Sequence, residues 1–141
     1  MSTQQHWAAE LIGKPWRFGA QGPEDFDCWG LARYVQAQHY GIEMHALGYG
    51  YEEWKLAALA IDRAEERQHW QEVTTPADGD LVLMGRSKLP LHIGIWIRAN
   101  KTFGVLHCLD RVGVMFSTDG ALRLMGWRHL VFFRHNSKCT T

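Results

Sequence analysis

The sequence predicts an α+β domain in which N-terminal helices pack on one face of an antiparallel meander sheet of about five or six strands. Two observations carry this. Apolar residues recur at helical spacing through the first half, whereas after Pro76 short runs of branched and aromatic residues alternate with turn formers. No repeat or Pro/Gly-rich linker divides the 141 residues, so one domain spans 1–141, with a core of about 10–134 and a polar tail over 135–141.

The elements follow in order. Ser2 with Gln5 forms a capping box ahead of a short helix that presents Trp7, Leu11 and Ile12 and stops near Gly13. Gly19 to Asp27 is a loop by composition. Cys28, Leu31, Ala32, Val35 and His39 then recur on one helical face, with Asp27 as N-cap and Gly41 as stop. A third helix is expected from Glu52 to about His69, its stripe being Trp54, Ala57, Ala58 and Ile61. Strands are expected at Leu81–Met84, His92–Arg98, Phe103–Leu109, Val112–Phe116, Leu122–Met125 and Leu130–Arg134, with Gly79 and Asp80 in the turn before the first of them.

Composition narrows the function. Fifteen basic and fifteen acidic residues leave no net charge, so neither nucleic acid nor an anionic membrane is an expected partner. No apolar run approaches the ~18 residues of a membrane span, and Met1 to Glu10 do not read as a secretory signal. The three cysteines, Cys28, Cys108 and Cys139, include no C-x-x-C pair, which speaks against a zinc ribbon or a disulfide scaffold. Neither a metal nor a cofactor is expected.

Cys28 is the most informative position. A thiol opening a helix feels unpaired N–H groups and the positive end of the dipole, both of which favour the reactive thiolate. From position alone, Cys28 reads either as such a nucleophile or as a small buried apolar residue. His92 opens an alternating strand and could serve as base, although a strand-end histidine without chemistry has the same signature. His107, in the next strand, could lie beside His92 and orient it. Asp110 is a weaker candidate because it falls in a turn, and Cys108 should face away from His107 by alternation.

Five segments, taken together and in order, resemble the NlpC/P60 peptidases. They are Pro15-Trp16-Arg17-Phe18-Gly19, Asp27-Cys28-Trp29-Gly30-Leu31, Pro76-Ala77-Asp78-Gly79-Asp80-Leu81, His92-Ile93-Gly94-Ile95 and Leu106-His107. The form of the second segment is similar to the phage tail-associated branch, the phage cell-wall peptidases. The resemblance implies a papain-like fold and a thiol endopeptidase that cleaves peptidoglycan stem peptides, typically between D-glutamate and a diamino acid. It implies Cys28 as nucleophile, His92 as base and His107 as the orienting third residue.

Trp16, Asp27 and Trp29 are implied at the substrate or oxyanion site. Trp16 stands where many relatives carry a tyrosine, and Trp29 where many carry a serine. The expected partners are the stem peptide and other tail-tip proteins. The expected location is a virion tail acting at the wall after synthesis in the host cytoplasm. The alternative is a catalytically weak or inactive structural tail-tip adaptor of the same fold, suggested by Trp16, Trp29 and the chain's seven tryptophans, since aromatic residues favour interfaces.

Overall fold

The computed structural model describes residues 6–44, 68–86 and 92–139. The Ser2–Gln5 capping box and nearly all of the helix expected from Glu52 to His69 lie outside these residues. Two helices are described, α1 (Cys28–His39) and α2 (Asp119–Leu124). The strands are β1 (Trp70–Val73), β2 (Leu81–Gly85), β3 (His92–Ala99), β4 (Thr102–Leu109), β5 (Gly113–Ser117) and β6 (His129–His135). They form one antiparallel sheet in the order β1-β6-β2-β3-β4-β5.

The expected α+β class is borne out, with four refinements. The meander holds for β2 to β5, but β6 turns back and inserts between β1 and β2. The run Leu122–Met125 is not a strand. Thr118 caps a helix there by accepting from the Ala121 N–H, with Asp119 in the favoured first turn, and Leu122 is the residue that α2 buries. The helix expected near Trp7 is a single 3-10 turn, Trp7–Glu10, capped by His6.

The helices also occupy both faces of the sheet rather than one. On the first face, Leu31, Ala32 and Val35 of α1 pack with Ile93, Ile95, Ile97, Leu106 and Phe133. The other face holds a smaller cluster of Val82, Met84, Val105, Leu122 and Trp127. Strand alternation sorts the residues between the two, since neighbouring side chains on a strand point to opposite faces. The N-terminal segment is tied to the sheet through Gly13 and Lys14, which exchange backbone hydrogen bonds with Val114. Gly113 makes this approach possible: its φ is +100°, and a Cβ there would lie 2.5 Å from the Lys14 carbonyl oxygen.

The two ends of α1 are fixed at opposite ends of the strands. At its C-terminal end, Gln36 Nε2 donates to the Gly79 carbonyl, and the Gly79 N–H donates to Trp96. At its N-terminal end, Cys108 Sγ donates to the carbonyl of Phe26, two residues before the helix, at 3.3 Å. Cys28 is therefore held at the end of the sheet where β3 begins and β4 finishes.

Candidate active site

Asp27 sets the start of α1. Its Oδ1 accepts from the Gly30 N–H at 2.6 Å and its Oδ2 from the Gly19 N–H at 3.0 Å, so one carboxylate caps the helix and clasps the preceding loop. The residue is 1% exposed. Gly30 permits this closeness, because a Cβ there would collide with the Ala20 carbonyl oxygen. Cys28, the first helical residue, is buried in the main core cluster.

The two predicted histidines meet. His92 Nε2 and His107 Nδ1 are 2.8 Å apart in a buried hydrogen bond, with the rings edge to face. Register explains the contact. Gly94 lies opposite His107, so His92, two residues earlier, is its diagonal neighbour on the same face. Glycine at the intervening position matters, since a Cβ on Gly94 would stand 2.9 Å from the Leu106 carbonyl oxygen and 3.1 Å from His107 Cβ.

Sequence reasoning missed the rest of this row. His107 Nε2 is 2.9 Å from Ser117 Oγ, and the Ser117 hydroxyl donates to Met125 Sδ at 3.8 Å. Trp127 stacks on His92 with ring centroids 5.2 Å apart and planes inclined by 21°. The Arg86 guanidinium lies 4.7 Å over the Trp127 ring. A serine at a strand end and a tryptophan after a short helix carry no spacing signal. Only the pairing of β4 with β5 and the return of the chain after α2 bring them in.

Burial governs the protonation of the pair. It drives the His92 imidazole well below the usual histidine range, with the neighbouring His107 and Arg86 adding to the effect. His107 is pushed down to about 4 by burial. Both rings are thus neutral near pH 7, the state in which an imidazole nitrogen can accept a proton. Cys108 behaves oppositely: burial, then the nearby Asp27, pushes its thiol up to about 12, so it is an inert packing residue.

The remaining predicted positions are structural in their surroundings. Trp29 is 3% exposed within the core, and Trp16 is half-buried, packing against the same cluster and bridging Phe26. Asp110 lies in the exposed β4–β5 turn. Asp80 bonds the local backbone as expected, accepting from the Ala77 N–H, and also pairs with Arg134 through both oxygens. Cys139 donates to the His135 carbonyl just beyond β6, so ordered structure continues into the expected tail. Among the described residues, no three His, Cys, Asp or Glu side chains cluster as metal ligands. No described helix is long and apolar enough to cross a membrane.

Comparison with known proteins places the chain. The model of the NlpC/P60 family matches residues 13–118. Among solved structures, the NlpC/p60 domain of the peptidoglycan hydrolase SagA is similar with a TM-score of 0.56 and 21% identity, over 89% of this chain and 90% of that one. A lipoprotein-like member of the NLP/P60 family from Staphylococcus aureus aligns with a TM-score of 0.55 and 22% identity, over 91% of this chain and 38% of that one. No curated protein matches the chain.

Proposed function

The chain belongs to the NlpC/P60 family of cysteine peptidases, and on that premise we propose that Cys28, His92 and His107 form its catalytic triad and act on peptidoglycan stem peptides. The observation that carries this reading is the buried hydrogen bond between His92 Nε2 and His107 Nδ1, at the end of the sheet where α1 begins. That bond commits Nε2 and leaves Nδ1 of His92 as the nitrogen for the thiol. The imidazoles sit on the face away from the isoleucines that meet α1. The triad requires the sulfur to meet His92 around the start of β3, not through the sheet.

The reaction follows from these roles. His92 Nδ1 takes the Cys28 proton as Sγ attacks the scissile carbonyl carbon, and the carbonyl π electrons move to oxygen. The backbone N–H of Cys28, at the positive end of α1, stabilises that oxyanion. Collapse of the tetrahedral intermediate breaks the C–N bond, and the leaving amine takes the proton held by His92. A water then gives its proton to His92 and attacks the thioester, releasing the acid and restoring the thiol. His107 keeps the His92 ring oriented throughout.

The bond cleaved is that between D-glutamate and a diamino acid, and the setting is a phage tail or related particle in contact with other tail-tip proteins. The Asp27-Cys28-Trp29-Gly30-Leu31 form supports this branch. Trp16, Asp27 and Trp29 act around the substrate chiefly by fixing the loop and first helical turn that present Cys28. The adaptor alternative drew partly on Trp29 as an interface residue, and the burial of Trp29 weakens it. Digestion of sacculi and synthetic stem peptides, followed by mass spectrometry, tests the proposal beside Cys28→Ala. Amide cleavage by the native chain alone is expected, whereas equal product from both proteins rejects the nucleophile.

A further inference from the structure

We infer that Ser117 is a positioning residue that ends a one-way hydrogen-bond relay, Ser117–His107–His92, and thereby selects the tautomer in which His92 Nδ1 is the base. The inference rests on the triad proposed above and extends it by a residue on a third strand.

The geometry is a straight oblique row across β3, β4 and β5. Gly94 pairs with His107, and His107 pairs with Met115. His92 lies two residues before Gly94 and Ser117 two residues after Met115. Because β3 and β5 both run antiparallel to β4, these two are diagonal neighbours of His107 on opposite sides. The separations are 2.8 Å and 2.9 Å, and Ser117 is 1% exposed.

The direction of the relay follows from what each atom can do. A thioether sulfur only accepts, so the contact of Ser117 Oγ with Met125 Sδ takes the hydroxyl proton. The Ser117 oxygen then accepts from His107 Nε2–H. A neutral imidazole carries one N–H, so His107 Nδ1 has its lone pair free to accept from His92 Nε2–H. His92 is left with an unprotonated Nδ1. Reversing the row would place the proton on His92 Nδ1 and remove the base. When His92 takes the thiol proton, both bonds already point away from the new charge, so the imidazolium is stabilised with no rearrangement.

Nitrogen-15 spectroscopy of the imidazoles, combined with stem-peptide kinetics, tests the relay in the full chain. In the native protein, His107 and His92 should each be protonated at Nε2. Ser117→Ala should give His107 mixed tautomers and lower kcat about fivefold to tenfold with KM unchanged, as expected for one buried hydrogen bond. Ser117→Thr, which keeps the hydroxyl, should restore both readouts. Protonation of His107 at Nδ1 in the native chain overturns the inference, even if Ser117→Ala does not fold. So does a Ser117→Ala protein with native tautomers and native kcat. Full activity in Cys28→Ala would instead sink the triad while leaving the tautomer result standing.

Discussion

The two ends of the sheet solve the same problem, burying polar groups, in opposite ways. Where β2 starts, the buried Asp80 is held by direct partners: Arg134 Nε and Nη2 donate to its two oxygens at 3.0 Å and 2.8 Å, and the Ala77 N–H adds a third bond. Nearby, Asp78 accepts from the Arg98 N–H and from the Tyr40 hydroxyl, and burial followed by that acidic neighbourhood raises the Tyr40 phenol. Where β3 starts, His92 and His107 are buried uncharged and, among the described residues, contact each other, Ser117 and the Trp127 ring. The ion-paired end ties β6 to the start of β2 and stabilises the fold. The neutral end keeps its imidazoles unprotonated near pH 7, the form from which the proposed base would act.

The sharpest way to break this contrast is to remove a member of the neutral end. Cys28→Ala should lower peptide hydrolysis by about a thousandfold or more, and His92→Ala by a comparable factor. Both should unfold within ~1 kcal/mol of the native chain in urea if the loss is chemical. Gly94→Val attacks the same end through space. Its side chain would press on Val105, the Leu106 carbonyl and His107, so we expect about 3 kcal/mol of destabilisation together with loss of activity.

The charged end should respond the other way. Arg134→Ala leaves the Asp80 carboxylate buried without its cation, and should cost about 2–3 kcal/mol in chemical denaturation while kcat of the folded fraction holds. Acidification separates the ends more gently. His107 has its folded value lowered to about 4 against ~6.5 in the unfolded chain, so below pH 6.5 the unfolded state binds more protons and stability falls with pH. Between pH 7 and 5 this one group should remove about 2 kcal/mol, measured from urea midpoints. His107→Asn should flatten that slope. Finally, iodoacetamide at pH 6 should modify Cys28 and spare Cys108, whose thiol is pushed up to about 12.

Much of this was legible in the residues. Asp27 before an apolar 3.6 period marked α1 to its first residue, and the alternating runs marked β2 to β5 and β6 within two residues at either end. Cys28, His92 and His107 stood out because each opens or lines an element whose direction the pattern fixes. Other features left no local trace. Four residues of mixed polarity, Trp70–Val73, are a strand only because β6 lies beside them. Leu122–Met125 has strand-like composition, and the weight of the Thr118 cap against it shows only in three dimensions. Ser117 joins the histidines through register, which single-sequence periodicity cannot supply.

The insertion of β6 has a consequence for synthesis. The strands bearing His92, His107 and Ser117 follow one another along the polypeptide and can zip together as soon as they leave the ribosome. Asp80, by contrast, emerges long before Arg134 and must wait for the last strand to slot in beside β2. Pulse-labelled nascent chains stalled before residue 129 should therefore protect amides of the β3–β4–β5 hairpins while the amides of β2 that face β6 still exchange freely. The strands bearing the histidines would be organised first, and the Asp80–Arg134 clasp would close only once β6 has been made.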